Sequence, residues 1–105
     1  MNSMEVRVLV AAEIDLKMGK YFYNDIELGV GNYFWDSLLS DIESLVIYSG
    51  IHKKEFGLHR MLAKRFPYFI YYFVKDDISF VAAVLPMRKN PKWIEIELTE
   101  RRGSN

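Results

Sequence analysis

Two short stretches carry most of the chain's surface chemistry: Arg60, Lys64 and Arg65 in one, and Arg88, Lys89 and Lys92 in the other. Brought to a common surface, such cations would hold an anion, either a phosphate or a carboxylate. His59 stands beside Arg60, and an imidazole titrates near neutrality, so it is the residue of that stretch suited to moving a proton. A lone histidine next to an arginine is more often a partly buried spacer, and both readings stay open. His52 and His59 come without carboxylates at ligand spacing, so no metal site is expected. Gly29-x-Gly31 falls between two helical stretches instead of after a strand, so it is no phosphate loop. Ser37, Ser40 and Ser44 follow the spacing of a solvent face and lack a nucleophile elbow. No cofactor is expected.

The elements that must position these groups follow from the hydrophobic period. Residues 5–11 alternate and are rich in β-branched side chains, which predicts a strand. From Ala12 the period changes: Ile14, Met18, Tyr21 and Phe22 recur at helical spacing. Gly29 and Gly31 close that helix. A second runs from Asn32 to Tyr48, with Trp35, Leu38, Leu39, Ile42, Leu45 and Val46 inward and Asp36, Ser40, Asp41, Glu43 and Ser44 outward. So short a link makes the two helices antiparallel. Three strands follow: Leu58–Phe66, Tyr68–Val74 and Ile78–Leu85, separated by Pro67 and by the turn Lys75-Asp76-Asp77 and stopped by Pro86. On the first, Arg60, Leu62 and Lys64 share one face, and Met61, Ala63 and Arg65 the other. Residues 91–100 alternate like a strand, yet Asn90-Pro91 equally opens a helix. Arg102 to Asn105 reads as a frayed end. The predicted class is α+β: an N-terminal strand, two antiparallel helices and an antiparallel three-strand meander, with the helices on one face of a twisted sheet.

With 105 residues there is room for one domain, spanning 1–105. Half the residues are hydrophobic and 15% aromatic, which excludes a disordered chain. Cysteine is absent, so disulfides and thiolate metal sites are excluded and a reducing compartment is the natural setting. No targeting segment or membrane span is read, and the expected location is cytoplasmic, away from the membrane. The net charge of zero hides a basic second half that can still present a positive face. The bland alternative is a solvated strand face that deters aggregation. Tyr21, Phe22, Phe34, Trp35 and Phe80 are expected in the core. Tyr23, Tyr33, Tyr48, Tyr71 and Tyr72 exceed what so small a core encloses, and tyrosines left outside suit a protein interface or self-association into a homodimer.

This order of elements, together with Ala12, Leu28-Gly29-Val30-Gly31, Phe34, Leu38, His59-Arg60, the run Lys64 to Tyr72, Val81 to Leu85, Arg88-Lys89-Asn90-Pro91 and Trp93, resembles the RelE/ParE toxin superfamily over nearly the whole chain. The resemblance implies the toxic half of a type II toxin–antitoxin (plasmid stabilisation) pair, with an antitoxin as partner. RelE-like members cut mRNA on the ribosome; ParE-like members poison DNA gyrase. Arg88 matches an arginine that contacts phosphate in the ribonucleases. Their second arginine is Phe69 here, their C-terminal tyrosine falls in the stretch of Trp93 and Ile94, and a histidine common at the end of the last strand is Pro86. A phenylalanine, an indole and a proline cannot transfer a proton or neutralise a phosphorane. The resemblance therefore favours a ParE-like gyrase binder, with Arg60, Lys64, Arg65, Arg88, Lys89, Trp93 and Tyr71 meeting target or antitoxin. The alternatives are an mRNA endoribonuclease using Arg88, Arg65 and His59, and an inactive antitoxin-binding relative.

Overall fold

A computed structural model of the chain describes residues 4–103; Ser104 and Asn105, the tip of the expected frayed end, lie outside them. Strand β1 (Glu5–Val8) leads at once into helix α1 (Val10–Ile26). The expected strand over 5–11 is therefore shorter. Leu9 is its last extended residue: its N–H donates to Val81 O and its C=O already accepts the N–H of Glu13, the first bond of the helix. Helix α2 (Val30–Glu43) starts two residues ahead of Asn32, behind Gly29 at φ 95°. The Asn24 side chain settles the turn by accepting the N–H groups of Gly29 and Gly31 at 3.1 and 3.0 Å. The long second helix is broken at Ser44, whose hydroxyl donates to Asp41 O, and resumes as the single turn α3 (Leu45–Tyr48).

Strand β2 (Lys54–Glu55) is a short addition to the expected set. Next come β3 (Leu58–Leu62), β4 (Tyr68–Lys75) and β5 (Ile78–Pro86). The strand expected to reach Phe66 ends at Leu62. Beyond it the Lys64 N–H donates to Asp41 Oδ2 instead of to a strand, and Ala63 N–H donates to Tyr68 O. Lys64 and Arg65 thus belong to a loop, and the face alternation predicted for them does not apply. Asp41, expected in solvent, is 3% exposed because it makes that bond.

The sheet order is β1-β5-β4-β3-β2. The meander β3-β4-β5 is antiparallel as expected, while β1 lies parallel to β5, which the intervening helices permit. Tyr71 faces Ala83 and Tyr72 faces Val81, so Ala82 is an extra residue in β5. One face, with Ile70, Tyr72 and Val84, packs under Leu16, Phe34 and Leu38 of the helix pair. The other face, with Tyr71, Ala83 and Leu85, is covered by Ile94 and Leu98 of a further helix, α4 (Pro91–Gly103). The helical option for 91–100 is the one adopted: Asn90 Oδ1 accepts the Lys92 N–H at 2.7 Å, ahead of a proline in the first turn. Among the described residues, no helix is long and apolar enough to cross a membrane.

Helix α1 reverses an expectation. Its buried side consists of Ala12, Asp15, Leu16 and Gly19. The apolar row Ile14, Met18, Tyr21 and Phe22 faces outward, with exposures of 51, 64, 65 and 41%. Tyr21 and Phe22 are therefore not core residues. Phe34 is, at 0% exposed. Small side chains on the inner face let α1 sit close to α2, and the larger ones are left over.

Candidate functional site

Leu62, Tyr68 and Pro86 mark one end of the sheet, where the loop 63–67 and the segment after β5 meet. The Met87 N–H donates to Pro67 O at 2.9 Å, tying the two together. Lys64 and Arg65 project from the first and Arg88 and Lys89 from the second, all exposed. The convergence of the two cation stretches holds for these four. Beneath them lies an aromatic cluster: Tyr23 stacks on Phe34 at 5.2 Å, and Phe66 meets Tyr23 at 4.8 Å and Phe34 at 5.1 Å.

Arg88 and Lys89 are held by aromatic rings. The Arg88 guanidinium lies 5.0 Å from the Phe22 centroid and the Lys89 ammonium 4.9 Å from that of Trp93. Neither forms a salt bridge with a carboxylate among the described residues. Burial pushes the Tyr68 phenol up to about 12, with Tyr23 adding to the rise and Arg88 opposing it. Tyr23 is also raised by burial against the pull of Arg88. Both tyrosines stay protonated at neutral pH. The end of the sheet is a cationic surface on an apolar base.

Other expected residues stand apart from it. Arg60 lies over the Phe69 ring at 4.3 Å, with Glu55 at 3.9 Å. Tyr71, expected at an interface, is 0% exposed and cannot meet a partner in this conformation. Its hydroxyl has no hydrogen-bond partner of good geometry among the described residues, and burial raises its pKa with Arg60 opposing. Tyr72 is also fully buried, while Tyr33 and Tyr48 are exposed. His59 sits level with Tyr72, whereas Arg88 follows Pro86, which is level with Tyr68. Four residues of β4 separate these rows, about 13 Å along a strand. The His59 ring stacks on Tyr72 at 5.0 Å and its Nδ1–H donates to His52 O at 2.6 Å. His59 and Arg88 therefore do not share one reacting centre.

The same architecture occurs in a chain of the chromosomal ParDE TA system from P. aeruginosa, with a TM-score of 0.74 and 13% sequence identity. The likeness covers 82% of this chain and 98% of that one. At this identity it shows the fold. No family model and no curated protein matches the sequence.

Within the ParDE-like fold, a second feature escaped the sequence reading. Asp15 and Arg101 meet at the outer edge of β5, between α1 and α4, although 86 residues separate them. The signal present was faint: Ala12, Asp15, Leu16 and Gly19 form a helical row in which the acid falls among small or apolar residues. Nothing in α4 marked Arg101 as its partner. The outward turn of Phe22 was also missed, and Phe22 is what Arg88 stacks upon.

Proposed function

We propose that the chain is the toxin component of a type II toxin–antitoxin pair and works in the ParE-like manner, gripping a replication target, DNA gyrase, without covalent chemistry. A cognate antitoxin holds it silent. The observation that carries this reading is the composition of the cationic end. Lys64, Arg65, Arg88 and Lys89 gather there, and the neighbours that would have to move a proton are Pro86, Trp93 and two tyrosines held protonated by burial. Such a surface binds acidic groups, and the two carboxylates that line the cavity beside Arg88, Asp15 and Glu97, are both taken up by Arg101, so neither stands free as a general base. The likeness to a ParDE chain supports the same assignment at the level of fold.

The mRNA endoribonuclease reading has one observation in its favour, Arg88 at the expected place after the last strand, and it shares an experiment with the first. Purified protein is assayed for inhibition of gyrase supercoiling and, beside it, for transcript cleavage in a translating extract. Loss of supercoiling with intact mRNA is the expected result. Codon-specific cuts that vanish with Arg88→Ala would establish the ribonuclease instead. Expression of the chain alone is expected to arrest growth with DNA damage signalling. Healthy cells at high soluble expression would leave an inactive antitoxin-binding relative.

A further inference from the structure

The end of the sheet that gathers the cations also gathers ring faces. Tyr33, Phe66, Tyr23 and Phe22 form a chain of contacts, with successive centroids 5.4, 4.8 and 5.1 Å apart. The chain runs from α2 through the loop 63–67 to α1. Phe22 carries Arg88 at 5.0 Å, and Trp93 carries Lys89 at 4.9 Å. Phe66 and Tyr23, in the middle, are half-buried, while Tyr33, Phe22 and Trp93 are exposed. Exposed rings therefore flank each cation stretch: Tyr33 at the loop of Lys64 and Arg65, Phe22 and Trp93 at Arg88 and Lys89.

The mixture selects its ligand. Rings and arginines also anchor protein interfaces, but the centre of such an interface is depleted in charge, and in lysine above all. Here two lysines and two arginines stand together, and none forms a salt bridge among the described residues. Asp25 and Glu27, exposed where α1 ends, are too few to cancel them. An excess of positive charge is the mark of a surface that meets nucleic acid. The free ring faces narrow the choice, because a base stacks on a side chain only when it is out of a duplex. Neither a cation nor a ring face engages a 2′-hydroxyl, the group by which a protein tells RNA from DNA. A deoxyribose strand therefore meets every requirement of this surface.

We infer that the cationic end binds single-stranded DNA, with backbone phosphates on Lys64, Arg65, Arg88 and Lys89 and bases stacked on Tyr33, Phe22 and Trp93. That such DNA reaches the protein at a replication target rests on the function proposed above; the preference for an unpaired strand does not.

The probe is a fluorescein-labelled oligothymidylate of about fifteen nucleotides. Fluorescence anisotropy with the full chain is expected to show saturable binding that weakens with salt. Four neutralised phosphates on a single strand give a slope of about −3 in log affinity against log salt. Lys64→Ala should make that slope shallower by about 0.7. Trp93→Ala should leave the slope unchanged and weaken binding by about fivefold or more, with circular dichroism confirming an intact protein. Lys75→Ala, at the opposite end of the sheet, should alter neither affinity nor slope. An abasic strand of equal charge and a duplex of equal length should each bind at least about fivefold more weakly than the thymidylate. No binding at 100 μM protein in low salt, equal binding of the abasic strand or the duplex, or a slope indifferent to Lys64→Ala would overturn the proposal. So would equally tight binding of polyglutamate of the same charge, which would give the surface to an acidic protein. An oligouridylate bound tenfold tighter than its deoxy twin would also overturn it, because the surface would then read the 2′-hydroxyl. Gyrase supercoiling is measured separately: inhibition without strand binding leaves the toxin assignment standing, and strand binding without inhibition leaves this one.

Discussion

Arg101 reaches from the last turn of α4 to Asp15 on the inner face of α1, its two terminal nitrogens 2.6 and 2.8 Å from the two carboxylate oxygens. The pair does more than join two helices. Asp15 also accepts the Val84 N–H, and Arg101 also donates to Ala82 O, so together they satisfy two backbone groups on the edge of β5 next to the bulge at Ala82. Glu97, one turn back on α4, holds the other side of the guanidinium at 3.7 Å. Together with Ile94 and Leu98, buried against the sheet, this contact fastens α4 to the rest of the fold.

Asp15→Ala should therefore destabilise the protein strongly. It strands a mostly buried guanidinium and orphans the Val84 N–H, and breaking a buried pair from one side typically costs about 3–5 kcal/mol. Adding Arg101→Met removes the stranded charge and should recover part of the loss. Urea unfolding of the two variants decides the matter. If the double variant is no more stable than Asp15→Ala, the unpaired charge is not what destabilises the single one.

The strands of the meander, the helix pair and the α+β class were legible in the sequence because period and breakers agree there: Pro67, Pro86 and the Asp76-Asp77 turn all fall where strands end or turn. Helix α1 was legible as a helix but not in its orientation. Its large apolar residues outnumber those on the inner face, and the usual rule that the apolar stripe faces the core fails where close helix packing requires small residues. The end of β5 at Pro86, and with it the place of Arg88 and Lys89, was legible; Lys64 and Arg65 join them because β3 stops at Leu62, short of the Phe66 that the sequence suggests. The Asp15–Arg101 bridge is a long-range pairing, and no local pattern encodes such a partner. The burial of Tyr71 depended on α4 covering the second face, which the ambiguous stretch after Asn90 left undecided.

Acid should loosen the segment between α3 and β3. The His52 Nδ1 lies 2.5 Å from the Tyr72 hydroxyl, whose oxygen also accepts the Gly50 N–H at 2.9 Å. With His52 neutral, the buried phenol donates to Nδ1. A protonated ring would present an N–H to the same oxygen and leave the phenol proton without an acceptor. Burial first, and the neighbouring His59 second, hold the His52 pKa below its ordinary value. A depressed folded pKa means that the stability from this group is complete above its unfolded pKa of about 6.5 and declines as pH falls below that and on through the lowered folded value. Urea midpoints between pH 8 and pH 5 should therefore fall less steeply for His52→Gln than for the parent chain. Coincident slopes would assign the acid sensitivity to other groups.

The β4–β5 hairpin turns on Asp76 and Asp77 at φ 53° and 62°, a two-residue turn between the paired Lys75 and Ile78. Positive φ at both positions suits asparagine and glycine far better than two aspartates. Asp76→Asn with Asp77→Gly should stabilise the fold by about 1 kcal/mol, since the left-handed conformation costs an L residue on that scale. For a domain of this size, the melting temperature should rise by roughly 4–8 °C. An unchanged or lower melting temperature would show that the aspartates hold the turn by contacts of their own.

Gly19 decides how closely the helix pair packs, and through it where the cationic loop sits. A Cβ placed there would lie 2.4 and 2.5 Å from two atoms of the Phe34 ring. That ring has little room to retreat: it is 0% exposed and meets Tyr23, Phe66 and Tyr68 at 5.2, 5.1 and 4.9 Å. Gly19→Ala sets about 1 kcal/mol of better helix propensity against an overpacking cost of about 1–3 kcal/mol. With the ring pinned on three sides, overpacking should win and the variant should be less stable. Phe34→Leu removes the ring edge, so in that background Gly19→Ala should cost less or stabilise, and a double-mutant cycle should show coupling between the two sites of at least about 0.5 kcal/mol. Since Phe66 leads the loop that carries Lys64 and Arg65 back to β4, Gly19→Ala should also shift the amide resonances of that loop. A variant as stable as the parent, with Lys64 and Arg65 unmoved, would show that α1 and α2 can part without disturbing the basic end.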